Sequence, residues 1–290
     1  MPGFMLVSGY FSSRTIRSGS ETGKRIIRSA QHYVLPFFSW FILVSCLLLG
    51  GFDRNPRRAV ITLMTKVDNG LWFLWVIFIL SIIAISLNWA LGNQKCRIVK
   101  VGIVLILYFG LLGAIGLIFG INFLGVKYVL YYSVFYGVGW LAHRTENWWK
   151  QWWPKTENLV AAVTISTFLA IIYNYDLYHC PDDLKSIVLR CIAGFTGNFV
   201  LLWICNKYET VLARAKLGWI GRYTLEIYAT HMYVNNLMTA ENGHDFFTVM
   251  GFWNFMISLV LTITFTAIII VVFKSIPAMN FIFYGKRNWK

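Results

Sequence analysis

Charge is scarce in this chain. Asp, Glu, Lys and Arg make up 13% of its 290 residues, about half of the roughly 25% that a soluble domain carries. Hydrophobic residues reach 58%, so a water-soluble fold would need a very large core and almost no polar surface. That excludes an ordinary soluble enzyme. Acidic residues are the scarcest charged class, 12 against 26 basic ones, for a net charge of +14. In a soluble protein such an excess points to nucleic acid. Here the basic residues sit in short connectors between apolar runs, where they orient the chain and meet anionic lipid head groups. No nucleic-acid partner is expected.

Other absences narrow the field further. The five cysteines, Cys46, Cys96, Cys180, Cys191 and Cys205, are odd in number and form no CxxC pair, so neither a disulfide framework nor a zinc site is indicated. There is no GxGxxG, no Walker-type phosphate loop, no HExxH and no GxSxG, so any catalysis uses a membrane-embedded site. A secretory signal places positive charge before its apolar core. This chain reverses that order, with Arg14, Arg17, Lys24, Arg25 and Arg28 following the run Pro2 to Phe11.

What is present is a series of apolar runs at 33–52, 71–91, 101–121, 126–142, 159–175, 186–205, 219–238 and 253–273. A spanning helix needs about 20 such residues, with about 17 tolerated. The predicted fold is all-α: a polytopic transmembrane helix bundle of about eight full spans plus a partial N-terminal one, in a single membrane-embedded domain over residues 1–290. Lys and Arg in alternate connectors number 17 on one side (14–32, 92–100, 143–158, 206–218 and the tail after 280) and six on the other. The positive-inside rule makes the richer set, and the C-terminus, cytoplasmic in a multi-pass plasma or inner membrane protein. The first run spans about half a bilayer and exits toward the cytoplasm, so an upstream helix is expected to be missing. No domain-sized repeat is visible, which removes the two-fold architecture of many transporters.

Ionisable groups inside a bilayer cost roughly 3 kcal/mol each on insertion scales and are functional candidates by default. In WIGRYTLEIYATHMYVNNLM (219–238), Arg222 and Glu226 are four apart and can pair on one helical face, while His231 has Tyr228 and Asn235 on its own face. Buried polar contacts that hold the helix in its bundle are the plainer explanation. In GKRIIRSAQHYVLP, Arg25 and Arg28 are neighbours if the segment is helical, a pair suited to gripping phosphates; positive-inside charge explains their number without their spacing. Trp72, Phe73 and Trp75 are accounted for by an interfacial aromatic belt, as are Trp148, Trp149, Trp152 and Trp153, which share one helical face. The loop with Asp176, His179, Asp182 and Asp183 is better read as solvated than as a metal site, and no metal is expected.

These motifs, taken in order, resemble the bacterial acyltransferase 3 family of integral membrane O-acyltransferases. PGFMLVSGYF is similar to that family's second helix and RIIR with Pro36 to its RxxR connector. LWFLWVIFI resembles its WFL helix, YYSVFYGVGWLAHR its aromatic and glycine helix, and LGWIGRYTLEIYATH its late Tyr–His signature. The resemblance implies transfer of an acetyl or similar group from cytoplasmic acyl-CoA to a hydroxyl of an envelope or extracellular polysaccharide sugar, or of a lipid-linked sugar. It would set Arg25 and Arg28 on the CoA phosphates. Ser8, Trp72, Glu226 and His231 would line the central cavity, with His231 and Glu226 the catalytic candidates and Arg222 joining Ser8 and Trp72 at the substrate. The family's first helix, with its histidine base, has no counterpart here, so the chain is expected to insert yet transfer little, unless His231 serves as base. The rival readings are a transporter or flippase for a lipid-linked sugar, a glycan polymerase and a noncatalytic membrane subunit.

Overall fold

In the computed structural model the described residues are 1–13, 19–43, 56–65, 67, 71–92, 97–175, 183–214, 216–238 and 248–286. Their regular elements are all helical: α1 (Pro2–Ser12), α2 (Gly19–Ser29), α3 (Leu35–Phe41), α4 (Pro56–Thr65), α5 (Trp72–Gly92), α6 (Arg97–Phe119), α7 (Val126–Arg144), α8 (Glu146–Asn174), α9 (Leu184–Lys207), α10 (Glu209–Arg214), α11 (Leu217–Gly221), α12 (Thr224–Met238), α13 (Val249–Ser275) and α14 (Pro277–Tyr284). Five stretches are long and apolar enough to cross a membrane: Trp72–Gly92, Ile98–Phe119, Lys155–Asn174, Leu184–Lys207 and Val249–Ser275. The chain is a multi-pass membrane protein. Three other spans are expected from the sequence. The run at 126–142 forms the 19-residue α7, about 28 Å at 1.5 Å per residue. The run at 219–238 is interrupted after Gly221, leaving the 15-residue α12, and the run at 33–52 extends past the described residues.

Local chemistry fixes several ends. Thr248 and Asp183 cap α13 and α9, accepting from the Gly251 and Ser186 amides at 3.0 and 3.2 Å, and so satisfy amides that the helix leaves unpaired. Proline opens α14, and Gly285 closes it at φ 65, the left-handed cap that glycine adopts without strain. Between α2 and α3 the chain stays helical through a π turn at Ala30–Val34. There the Leu35 amide reaches back five residues to the Ala30 carbonyl, just before Pro36, which has no N–H to give.

The described chain forms two compact units. The first comprises residues 1–23, 79–118 and 126–217; the second comprises 24–78, 119–125 and 218–290. In the first, α1 lies along α7 and also meets α9, while α8 packs on α9. Gly9 and Gly139 allow the first of these approaches. A Cβ on Gly9 would strike the Tyr136 carbonyl, and one on Gly139 would strike the Leu6 carbonyl. Backbone meets backbone, so neither helix can yield by turning a side chain. Gly139→Ala is therefore expected to destabilise the detergent-solubilised protein by about 1–3 kcal/mol. Gly137→Ala, two residues away where a Cβ meets nothing within 4 Å, is expected to leave it unchanged. Thermal unfolding of the two variants side by side checks this, and equal melting would refute the close contact.

Asn88 ties the ends of three helices in the same unit. Fully buried, it donates to the Ser12 carbonyl (2.6 Å) and accepts from the Trp140 indole (3.0 Å) and the Arg144 guanidinium (2.8 Å). Arg144 also lies over the Trp140 ring at 4.4 Å. The C-terminal ends of α1, α5 and α7 thus share one side, as the alternation of basic connectors requires. Trp149 and Trp153, expected from sequence to be interfacial, meet edge to face; Trp149 donates to the Ala142 carbonyl at 2.7 Å and Trp153 packs on Phe199. Trp148 stays exposed.

The second unit is built around Trp40. Its indole stacks on Tyr233 (5.5 Å between centroids) and Phe273 (5.7 Å), and its N–H donates to the Phe283 carbonyl at 3.0 Å. One buried ring on α3 thereby joins α12, α13 and α14. At the start of α5, Trp75 stacks on Phe37 and donates to the Leu124 carbonyl at 2.9 Å. This holds the turn in which Leu124 takes φ 52.

Candidate active site

Six of the seven site residues expected from sequence, Arg25, Arg28, Trp72, Arg222, Glu226 and His231, belong to the second unit. Ser8 belongs to the first, half-buried on α1.

His231 sits on α12, partly buried, with its Nδ1 2.7 Å from the Ile227 carbonyl one turn back. A carbonyl oxygen can only accept, so Nδ1 carries the proton. In the neutral ring Nε2 then holds the lone pair. This is the tautomer a general base needs, and it follows from the helix's own geometry. The Tyr228 ring lies 6.0 Å from the imidazole and packs in turn on Phe73, 5.2 Å away at the start of α5. The aromatic start of α5 therefore stands one residue removed from His231. Trp72 is half-buried and edge-on to Phe73.

Glu226, one turn and a half before His231, is fully buried. The sequence spacing pairs it with Arg222, but α11 ends at Gly221 and α12 begins at Thr224. Arg222 therefore lies in the turn, off the helical register that would bring the two together. Instead Glu226 Oε1 accepts from Lys286 Nζ at 2.7 Å, with Lys274 Nζ at 3.7 Å. Lys286 also donates to the Arg222 carbonyl at 3.4 Å. The second carboxylate oxygen, Oε2, is buried with no hydrogen-bond partner among the described residues. Beside it, Thr230 and Tyr284 share a hydrogen bond of 3.0 Å, both fully buried.

Sequence reasoning misses both lysines. Lys286 counts there only as tail charge, and Lys274 stands at the end of an apolar run. Its place among aromatic and β-branched residues is the available signal. No spacing rule links positions 226 and 286.

Arg25 and Arg28 lie on α2 three residues apart, so the helical neighbour relation expected of them holds. Arg28 is exposed and Arg25 half-buried. His32 follows one turn later, its pKa lowered first by burial and then by the charges of Lys286 and Arg28. The ring is thus neutral at pH 7 beside two cations. Among the described residues no cluster of three His, Cys, Asp or Glu could hold a metal ion. Asp176, His179 and Asp182 lie outside the described residues.

Among curated proteins and solved structures, none matches this chain. The sequence model of one family does, over residues 1–271: it is described as an acyltransferase domain, and the chain belongs to that acyltransferase 3 family.

Proposed function

We propose that this protein is an O-acyltransferase that moves an acetyl or similar acyl group from acyl-CoA, entering on the cytoplasmic side, to a hydroxyl of an envelope or extracellular polysaccharide sugar. The observation that carries the reading is the Nδ1 bond of His231 to Ile227, which leaves Nε2 basic within the unit that also holds the Arg25–Arg28 helix. In the reaction His231 Nε2 takes the proton of the sugar hydroxyl, and the hydroxyl oxygen attacks the thioester carbonyl carbon. The tetrahedral oxyanion collapses, the carbon–sulfur bond breaks, and the departing thiolate leaves as CoA with the proton from the imidazolium. Hydrogen-bond donors aimed at the oxyanion would lower the barrier. The buried, unpartnered Oε2 of Glu226 would accept from a second sugar hydroxyl and orient the acceptor.

The guanidiniums of Arg25 and Arg28 would grip the donor's phosphates. Losing a charge-assisted hydrogen bond costs about 1.5–3 kcal/mol, so Arg25→Ala with Arg28→Ala is expected to weaken CoA binding at least tenfold. Calorimetry of the purified protein in detergent measures this. Unchanged affinity would reduce the two arginines to orientation signals. Movement of a lipid-linked sugar with no consumption of acyl-CoA would replace the transferase reading with that of a flippase.

A further inference from the structure

The pair made by Lys274 and Lys286 on one carboxylate leaves a cation to spare. Lys274 Nζ lies 3.7 Å from Glu226 and 4.1 Å over the Tyr223 ring, so carboxylate and aromatic face already account for it. Lys286 makes the shorter bond to Glu226, 2.7 Å, and two ammoniums on one carboxylate leave one positive charge over. The Lys286 side chain keeps 34% of its surface exposed, enough to meet a ligand from solution. The segment that carries it is held firmly: Tyr284 and Asn280 are fully buried, and the Trp40 indole fixes the Phe283 carbonyl. Gly285 passes so close to α2's continuation that a Cβ there would strike the Gln31 carbonyl. Residue 286 is thus delivered next to the turn that follows Arg28. The charges of Arg28 and Lys286 both reach the His32 ring, so positive charge gathers here beyond what the single carboxylate of Glu226, shared with Lys274, balances.

We propose that Lys286 is a third phosphate-binding residue of the acyl donor site, an ammonium brought beside Arg28 by α14 and held in place by Glu226. The inference rests on the donor reading given above. It deepens that reading, because Lys286 lies beyond the family-matched residues 1–271. The phosphates of CoA are the ligand. Arg28 offers a planar fork and Lys286 a compact point charge, a combination suited to phosphates at two positions on one donor. Glu226 keeps the ammonium from swinging into water when the donor is absent.

The test is calorimetric titration of CoA into the full chain in detergent, for the wild type, Lys286→Ala, Lys286→Arg, Glu226→Gln and the double variant Glu226→Gln with Lys286→Ala. Lys286→Ala is expected to bind CoA about tenfold more weakly, and Lys286→Arg to recover most of the affinity. A purely structural role for Lys286 would act through its ion pair with Glu226 and its bond to the Arg222 carbonyl, and would lower thermal stability in step with any loss of CoA affinity. Once Glu226→Gln has removed the charge that Lys286 balances, such a role would leave the second substitution with little effect on CoA affinity at unchanged melting. The proposal instead expects a further loss of about tenfold in the double variant relative to Glu226→Gln. Wild-type binding that Lys286→Ala leaves unchanged, or a silent second substitution, overturns this inference alone. A wild-type protein that binds no CoA overturns the donor reading and the inference with it.

Discussion

Acyl transfer is expected to fall about 10²–10⁴-fold when His231 is replaced by alanine, the usual contribution of a positioned general base, while folding is preserved. The imidazole is partly exposed, and its polar contact is to a carbonyl of its own helix. Its removal therefore leaves Ile227's oxygen within an intact helical ladder and gives up the ring edge it shares with Tyr228, a neighbour on the same helix. His231→Gln sharpens the test. Glutamine can still donate to a backbone carbonyl, but it offers no nitrogen that takes up a proton near neutral pH. Both variants are expected to lose transfer alike, to bind CoA as the wild type does, and to melt within a few degrees of it. Radiolabelled acetyl transfer to polysaccharide, with calorimetry and thermal unfolding on the same samples, separates these readouts. Undiminished transfer by His231→Ala would place the base elsewhere.

Part of this arrangement is legible in the sequence itself. Scarce charge and long apolar runs force a helical membrane protein, because only helices and closed barrels satisfy their backbones in lipid. The 17-to-six basic asymmetry groups the connectors, and the Asn88 contacts bring together helix ends that lead into three of the richer ones. The RIIR spacing is meaningful because α2 is a helix. What spacing cannot supply is the break at residues 222–223. Gly221 marks the break, yet glycine is common inside membrane spans, so the helical period reads straight through it and pairs Arg222 with Glu226. The true partners stand 48 and 60 positions further along, brought in by the packing of α13 and α14 on α12. Long-range pairing of this kind depends on Trp40 joining three helices, and a buried ring with several partners looks in sequence like any other aromatic of a span. The glycine of SGY reads as a motif letter, whereas its cause is mechanical: Tyr136's carbonyl occupies the space a Cβ would need.

Removing both lysines is expected to harm the fold far more than removing the carboxylate they share. Lys274→Ala with Lys286→Ala leaves the fully buried Glu226 without a counter-charge, one oxygen stripped of its donor and the other already without a partner among the described residues. Breaking a buried ion pair from one side costs about 3–5 kcal/mol, and that is the loss expected here. Glu226→Gln removes charge from the opposite side. The two ammoniums it frees are about a third exposed, at 30% and 34%, so each can turn into water, and the expected cost is about 1 kcal/mol or less. Adding Glu226→Met to the double lysine variant should restore most of the stability, because an apolar side chain of similar size needs no counter-charge. Chemical unfolding in mild detergent, followed by tryptophan fluorescence, ranks the three variants. The ranking is the content of the prediction: a double lysine variant as stable as Glu226→Gln would mean that the lysines do not neutralise Glu226. The order expected, with rescue by methionine, ties the buried charge of α12 to the two helices that follow it.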